Sequence, residues 1–432
     1  MDLRQYADDI ITKAIEAVRP EILLSQNLTK SGDSLTICGS KYNIKNRKVK
    51  IIAVGKAAAA MSFSSEEILG SILHSGICVT KYGHQLPLSK IVLYESAHPI
   101  PDENSVKAAS ELLNFTNTCT VNDLVLVLIS GGASSLVVDL PEGVSLVDMQ
   151  DMYLDLVNSG ADIKEINCVR KQLSSLKGGG LLDELSPAEV VTLVISDVIG
   201  DDPSTIGSGL TALNKTTIAD AFKVLRKYQL WDELPESIAT YLLLKKSKVE
   251  TKNTNQIANL HIIGSNHLAL DAAKKEAINL GFITEIVSKD FSGDIDELQE
   301  SIIYKILSYN DKRLNCFLWG GEPTLKVSGQ GKGGRNQHLV LKVLNALSEL
   351  DIKSEFIMAS IGTDGTDGPT DAAGAFITDK TIEKLKASKK DLMPYIDNFD
   401  AYHYFESIDG LIKTGPTQTN VMDVVIVLMK SN

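Results

Sequence analysis

Cysteine is scarce in this chain, and the few copies are scattered. Cys38, Cys78, Cys119, Cys168 and Cys316 are odd in number and never form a Cys-x-x-Cys pair. A zinc site or a redox motif needs paired spacing, and a disulfide framework usually has an even count. The sequence therefore predicts a protein without a zinc framework in a reducing compartment, and we expect it to be cytoplasmic.

Long apolar runs and a basic excess are also absent. No stretch approaches the roughly 18 consecutive apolar residues that a membrane-spanning helix needs. The N-terminal segment carries Asp8, Asp9 and Glu16 where a signal peptide would be apolar, so we expect an amphipathic helix there. The net charge of −12 argues against a surface dedicated to nucleic acid, because phosphate neutralisation needs clustered Lys and Arg. We expect neither a membrane nor a nucleic acid as a partner.

The remaining composition is that of an ordinary globular protein with more than one domain. At 432 residues the chain exceeds the length at which one hydrophobic core usually stops growing. Apolar runs alternate with helical patterns as far as residue 230, which indicates a mainly parallel α/β sheet. The segment Lys245–Asn259 is polar and without periodicity. We therefore predict an N-terminal domain over residues 1–250 and a smaller α/β domain over residues 251–432.

The stretch Leu124–Leu136 indicates where a ligand could bind. Its run LVLVLI is typical of a strand buried on both faces. The run stops abruptly at Ser130-Gly131-Gly132-Ala133-Ser134-Ser135. Glycines let a ligand approach the backbone, and a helical turn that starts there favours an anion. By itself the pattern fits an ordinary strand-to-helix turn as well as it fits a phosphate site.

Recurrence of the pattern at other strand ends favours the ligand site. The strand predicted at Val49–Val54 runs into Gly55 and Lys56, so Lys56 falls in the first turn of a helix. Partial positive charge at a helix N-terminus disfavours a lysine there unless an anion lies between them. Because ligands of open α/β sheets bind at the carboxyl ends of strands, we expect Lys56 and Arg335 to hold anionic oxygens.

Carboxylates follow three further predicted strands, at Asp197, Glu322 and Asp364. Asp197 opens a long glycine-rich loop that reaches Gly209, and loops of this length are usually functional. The three carboxylates are candidates to hold Mg²⁺, a hard cation that prefers oxygen ligands. Anion-binding loops combined with Mg²⁺ ligands are the equipment of phosphoryl transfer, in which positioning and charge neutralisation provide most of the catalysis.

Two nucleotide-binding motifs limit this interpretation. The P-loop pattern G-x-x-x-x-G-K-[ST] is absent, so the chain is not expected to be a P-loop kinase. Gly329, Gly331 and Gly334 match G-x-G-x-x-G, which leaves an NAD(P)H-dependent hydroxypyruvate reductase as an alternative. The context disfavours it, because the acid expected ~20 residues further on falls within a helical segment. A non-catalytic sensor of a sugar acid is a third possibility.

Eight segments resemble, in the same order, the sequence blocks of class II glycerate 2-kinases of the MOFRL type. They are VGKAAAAM, SAHPIPDENS, LISGGASSL, VRKQLSSLKGGGL, VISDVIGDDPSTIGSG, GGEPTLKVSGQGKGGRNQ, IGTDGTDGPTDAAGA and GPTQTNVMD. The resemblance spans Val54–Asp423. It implies a Rossmann-like N-terminal domain, a smaller α/β domain and an active site in the cleft between them. It also implies phosphorylation of D-glycerate at the 2-hydroxyl by ATP with Mg²⁺.

Residue roles follow from this resemblance together with the strand-end pattern. The family's key lysine and arginine correspond to Lys56 and Arg335, and with Asp197, the first candidate for a general base, they are predicted as catalytic. His98 lies in the SAHPIPDENS block, although Ala97 stands where the family commonly has glycine. Substrate and phosphate binding is predicted at Ser130, Gly131, Gly132, Ala133, Ser134, His98 and Asn336. Mg²⁺ ligation is predicted at Glu322, Asp364 and Asp197. We expect a monomer or homodimer.

Overall fold

The computed structural model describes residues 2–247 and 259–431. Residues 248–258 of the predicted linker Lys245–Asn259 fall outside them, so the boundary at residue 250 stays a prediction. Across the described residues, no helix combines the length and apolarity that a membrane crossing requires.

Helices and strands alternate along the chain as the sequence predicts. Up to residue 264 the elements are α1 Leu3–Glu16, α2 Pro20–Asn27, β1 Leu28–Ser31, β2 Ser34–Ile37, β3 Ser40–Asn43, β4 Lys48–Val54, α3 Ala58–Leu69, β5 Leu73–Lys81, β6 Ile91–Ser96, α4 Glu103–Thr116, β7 Asp123–Ile129, α5 Ala133–Leu136, α6 Leu146–Asn158, α7 Ile163–Gln172, α8 Gly180–Glu184, β8 Glu189–Ile195, α9 Ile218–Lys227, α10 Glu236–Ser247 and β9 Leu260–Gly264. The remaining elements are α11 Asn266–Asn279, β10 Ile283–Phe291, α12 Ile295–Ser308, β11 Asn315–Gly321, α13 Arg335–Ser348, β12 Glu355–Gly362, β13 Gly374–Thr378, α14 Asp379–Ser388, α15 Met393–Asp397, α16 Ala401–Glu406, β14 Leu411–Ile412 and β15 Asp423–Lys430.

The described residues form two compact units. The parallel-sheet unit is Leu23–Ile263, and the mixed-sheet unit is Met1–Ile22 together with Gly264–Asn432. Residues 1–22, predicted to belong to the N-terminal domain, are therefore part of the other unit. The reason is hydrophobic: α1 buries Ile10 and Ala14 among other apolar residues, and it packs against α11 and the face of β12. An amphipathic helix docks where an apolar face is available, whatever its distance along the chain.

The parallel-sheet unit contains a six-stranded sheet in the order β6-β5-β4-β7-β8-β9. The pairs among β4 to β8 are all parallel, and β4 and β7 are in register from Lys48/Asp123 to Val54/Ile129. Every residue of β7 is buried, as its continuous apolar run predicts. The predicted Rossmann-like sheet is confirmed. Strand β9, assigned from sequence to the second domain, is instead the edge strand of this sheet.

The mixed-sheet unit contains six strands in the order β10-β11-β15-β12-β13-β14. β10 and β11 are parallel, whereas β15 pairs antiparallel with both β11 and β12. Trp319, Phe356 and Phe405 are among its largest fully buried side chains. A second, smaller α/β domain is thereby confirmed. The hairpins β1–β3 and the strands β13 and β14 have no counterpart among the predicted strands.

Candidate active site

The loops that follow β4 and β7 are hydrogen bonded to each other at the carboxyl edge of the parallel sheet. The backbone N–H of Lys56 donates to the carbonyl of Gly131 at 2.9 Å. The hydroxyl of Ser130 accepts from the N–H of Ala57 at 3.0 Å. A Cβ on Gly55, whose φ is +137°, would lie 2.2 Å from Ser130 Oγ, so only glycine allows this approach. Ser130 is fully buried, and its geometry favours holding the start of α3 over the ligand contact predicted for it.

Three of the predicted site residues reach the pair Gly131–Gly132, which we call the glycine turn. A Cβ on Gly131 would lie 1.6 Å from Asp197 Oδ2. A Cβ on Gly132 would lie 3.0 Å from His98 Cδ2 and 3.2 Å from Lys56 Cγ. The structure therefore brings Lys56, His98 and Asp197 together around backbone that carries no side chain.

Lys56 is the cation of this cluster. Its side chain is half-buried, and its ammonium forms no ion pair with any residue of 2–247 or 259–431. Burial and the nearby charge of Lys56 lower the pKa of His98 to about 4, with smaller contributions from Lys81 and His84. The imidazole is thus neutral at neutral pH, where it can donate or accept a hydrogen bond but adds no positive charge.

The turn of α5 continues this edge of the sheet. Ala133 is buried, whereas Ser134 is half-buried and its Oγ lies 2.8 Å from Ser208 Oγ. Ser208 donates to Oδ1 of Asn167 at 2.8 Å. The long loop that begins at Asp197 is therefore bound to the loop after β7. Neither Ser208 nor Asn167 was predicted; the glycines on both sides of Ser208 were the available signal.

The mixed-sheet unit presents Arg335 as the first residue of α13. Its Nε and Nη2 donate to the two carboxylate oxygens of Asp423 at 2.5 and 3.0 Å, and its Nη1 donates to Glu322 Oε1 at 2.7 Å. Although burial opposes it, Asp423 and Glu322 raise the pKa of Arg335 far above its ordinary value. Asp423 is only 4% exposed and begins β15. The structure places the predicted Arg335 and Glu322 in contact and adds Asp423, which was missed.

Two of the predicted metal ligands, Glu322 and Asp364, already accept hydrogen bonds within the protein. Oε1 of Glu322 is engaged by Arg335, and Asp364 accepts from the N–H and hydroxyl of Thr366 at 3.0 and 3.1 Å, closing its own turn. Asp197 belongs to the other unit. Within the described part of the chain, no three His, Cys, Asp or Glu side chains are grouped closely enough to hold a metal ion. The metal assignment stays a prediction.

Asn336 lies in the first turn of α13 and is 2% exposed. Its amide donates to Asp367 at 3.2 Å and accepts from the hydroxyl of Ser360 at 2.5 Å. Asp367 also accepts the backbone N–H groups of Asn336 and Gln337, at 3.0 and 2.8 Å, and so caps α13. Burial raises the pKa of Asp367 to about 6. This geometry favours a role for Asn336 in positioning α13 over the substrate contact predicted for it.

The glycines that match G-x-G-x-x-G do not form a dinucleotide site. Residues 322–328 separate the first of them, Gly329, from the preceding strand, because β11 ends at Gly321. The N–H of Gly331 donates to the carbonyl of Asn398 at 2.8 Å, and a Cβ on Gly331 would lie 2.5 Å from that oxygen. A tight strand-to-helix turn is what the dinucleotide motif requires. Gly329 and Gly331 instead allow close packing against residues 398–400, and Gly334 allows close packing against Asp367.

Comparison with known proteins agrees with this architecture. Residues 6–243 match the model of a domain of unknown function, DUF4147, and residues 315–423 match that of the MOFRL family. A D-glycerate 2-kinase of Thermotoga maritima is 39% identical over 99% of this chain and 98% of its own length. The chain belongs to the MOFRL-type glycerate kinase family.

Other members of the family span a wide range of organisms. A glycerate 2-kinase of Pyrococcus horikoshii is 37% identical over 100% of this chain and 98% of its own length. A protein of Agrobacterium vitis, 35% identical over 99% of this chain and 94% of its own, carries the provisional name hydroxypyruvate reductase. The crystal structure of the Thermotoga maritima glycerate kinase superposes with a TM-score of 0.83 at 37% identity, covering 99% of both chains. The resemblance predicted from the eight sequence blocks is confirmed.

Proposed function

We propose that this protein is a glycerate kinase that transfers a phosphoryl group from ATP to the 2-hydroxyl of D-glycerate. The observation that carries the proposal is the cluster of Lys56, His98 and Asp197 around the glycine turn. It combines a cation, a neutral hydrogen-bonding ring and a carboxylate beside backbone that carries no side chain. Full-length similarity to proteins named glycerate 2-kinase supports the choice of substrate and position.

Lys56 would bind the carboxylate of glycerate. Because no described residue forms an ion pair with Lys56, its positive charge is available to an anion, and the glycine turn places no side chain in the approach. Asp197, which lies against Gly131, is the candidate to accept the proton of the reacting hydroxyl. A neutral His98 could orient a substrate oxygen without competing for the anion.

Arg335 would hold the phosphoryl group in transfer. A guanidinium has five N–H donors, of which three are used by Asp423 and Glu322, so two remain. The carboxylates hold the guanidinium plane in one orientation, and preorganised donors are the main source of transition-state stabilisation in this chemistry. Asn336 and Asp367 fix the first turn of α13, from which Arg335 projects.

The carboxylates fit a Mg²⁺ ion that arrives with nucleotide phosphates and do not form a preformed cage. Protein-bound Mg²⁺ commonly keeps waters and takes one or two carboxylates plus phosphate oxygens. Glu322 and Asp364 each have one carboxylate oxygen in a protein hydrogen bond, which leaves the other as the donor to test. When bound, Mg²⁺ would shield the negative charge of the phosphates. A cytoplasmic location and a monomer or homodimer remain predictions.

Phosphorus NMR of the purified protein with ATP, Mg²⁺ and D-glycerate tests the proposal. We expect resonances of ADP and 2-phosphoglycerate. Formation of 3-phosphoglycerate would contradict the position of transfer but not the kinase activity. Intact ATP, together with oxidation of NADPH when hydroxypyruvate is added, would contradict the kinase and support a reductase.

A further inference from the structure

Ser208 is held in a conformation that serine rarely adopts. Its φ is +56°, in the left-handed region, and its side chain is fully buried. Glycine accommodates this conformation without the penalty that a Cβ brings, and glycine occupies both neighbouring positions, 207 and 209, also with positive φ. A strained and inaccessible serine between two glycines indicates that its hydroxyl is needed.

The hydrogen-bond partners of Ser208 determine the direction of its hydroxyl proton. Nδ2 of Asn167 faces the carbonyl of Thr205 at 3.4 Å, and a carbonyl can only accept. Oδ1 of Asn167 therefore faces Ser208, which donates to it at 2.8 Å. Since Ser208 has a single proton, the 2.8 Å contact with Ser134 requires Ser134 to be the donor.

This direction leaves Ser134 with oxygen lone pairs and no free proton. Ser130 and Ser135, the other serines of the stretch, are committed to the protein: Ser130 is fully buried, and Ser135 turns back to the carbonyl of Gly132 at 3.2 Å. The lone pairs of Ser134 suit a hydroxyl donor and repel a carboxylate or phosphate oxygen. The chain of bonds ends at an amide, which cannot take up a proton, so Ser134 is unsuited to deprotonating a reacting hydroxyl.

We propose that Ser134 accepts a hydrogen bond from the substrate hydroxyl that does not react, and that Ser208 and Asn167 position it for this task. The inference rests on the proposed glycerate kinase activity, for which the hydroxyl in question is the one on C3. Ser134 is thus a specificity-determining residue for a 2,3-dihydroxy acid. Ser208 and Asn167 are positioning residues.

The test compares D-glycerate with D-lactate, which lacks the C3 hydroxyl. In Ser134→Ala we expect the KM for D-glycerate to rise about three- to tenfold, the range of one neutral hydrogen bond, with kcat little changed. The inhibition constant of D-lactate against D-glycerate should change by less than about twofold, because D-lactate makes no such bond. Ser134→Thr keeps the hydroxyl and should restore the wild-type KM.

Ser208→Gly tests the positioning role without imposing strain. Glycine tolerates positive φ, so the local backbone conformation should be retained, while the hydroxyl bridge is lost. We expect the KM for D-glycerate to rise in the same direction as in Ser134→Ala, by a smaller factor. Gln229→Gly is the matched control, because Gln229 is exposed, has φ of +58° and lies in the turn after α9. It should leave the KM for D-glycerate unchanged.

Two results would overturn the inference while the kinase proposal stands. One is an active Ser134→Ala enzyme with an unchanged KM for D-glycerate. The other is an equal loss of affinity for D-glycerate and D-lactate, which would place Ser134 on a group that both acids share. Failure of the wild-type protein to form any phosphoglycerate would instead contradict the proposed function itself.

Discussion

Lys56 and Arg335 are the two cations predicted as catalytic, one in each unit, and their surroundings differ sharply. Lys56 lies among glycines, a neutral His98 and small residues, and no described residue forms an ion pair with it. Arg335 is clamped between Asp423 and Glu322. The first arrangement leaves net positive charge for an anion. The second neutralises the charge locally and provides rigid, directed N–H donors instead.

The difference indicates a division of roles: Lys56 would attract an anion, and Arg335 would align one. A charge without a partner in the protein does not stabilise the fold but can bind a ligand. Removing one partner of a buried ion pair, by contrast, destabilises the folded protein. Substitutions should therefore separate the two: changes at Lys56 should affect activity alone, and changes at Arg335 should affect activity and stability together.

Arg335→Ala is expected to have the largest effect. Removing the guanidinium leaves the buried Asp423 without a counter-charge, a loss that typically costs about 3–5 kcal/mol in the free energy of unfolding. Loss of the transition-state contact should lower turnover by at least about 10²-fold. Urea denaturation and an ADP-release assay measure the two effects.

A pH series sharpens this prediction. Burial already raises the pKa of Asp423, although Arg335 opposes that shift, so Asp423 without Arg335 should titrate at higher pH. As pH falls toward this raised pKa, protonation of Asp423 removes the cost of its buried charge. The loss in free energy of unfolding caused by Arg335→Ala should therefore be smaller at pH 5 than at pH 8. Asp423→Asn in the same background should recover stability but not turnover. A constant deficit across pH would refute the ion-pair explanation.

Lys56→Ala should lower kcat/KM for D-glycerate by at least about 10²-fold while the free energy of unfolding changes by less than about 1 kcal/mol. The reason is that the substitution breaks no ion pair with a described residue. Lys223→Ala provides the control, since Lys223 is exposed and pairs with Asp220 on the same helix. If Lys56→Ala destabilises the protein as much as Arg335→Ala does, the contrast between the two cations is wrong.

Gly131→Ala tests whether the glycine turn and Asp197 act together. The added methyl group would occupy the space of the Asp197 carboxylate, which must move. A displacement of about 1 Å at a reacting group can lower turnover by about 10²-fold. Gly293→Ala is the matched control, because its Cβ would meet the carboxylate of Glu297, which is not among the predicted site residues. Equal activity of the two variants would show that Asp197 needs no exact placement.

The smallest expected effect concerns His98 and pH. The folded state keeps His98 neutral down to a pKa of about 4, whereas the unfolded chain takes up the proton near the ordinary value of 6.5. The contribution of His98 to the free energy of unfolding is therefore fully present above pH 6.5 and is lost as pH falls toward 4. The free energy of unfolding should fall less between pH 7 and pH 5.5 in His98→Gln than in the wild-type protein, by on the order of 1 kcal/mol or less. Parallel profiles would contradict a depressed pKa.

The sequence was informative where a single segment determines its own structure. Continuous apolar runs identified β4, β7 and β8, and the glycines after them marked the loops that meet at Lys56, Asp197 and Gly131. Such signals are local, because a strand buried on both faces must be apolar throughout. The strand-end rule places the loops after these three strands at one edge of the sheet, which is where Lys56 and Asp197 lie beside the glycine turn.

Long-range partners could not be predicted in the same way. Asp423 meets Arg335 because β15 inserts between β11 and β12, and nothing in the segment around Asp423 specifies that strand order. The chain Ser134–Ser208–Asn167 joins three separate segments through polar side chains that have no periodic pattern. Asn336 was assigned to the substrate because a motif locates a residue along the chain without showing which way its side chain points.

The docking of α1 on α11 has a consequence for synthesis of the chain. Helix α1 is made early, yet the helix that covers its apolar stripe begins at Asn266, after the entire parallel-sheet unit has been translated. Until then the stripe containing Ile10 and Ala14 has no partner surface, so it is a natural site for chaperone binding on the nascent chain. The parallel-sheet unit, continuous in sequence, can complete its core first, and the mixed-sheet unit closes only when both of its segments have left the ribosome.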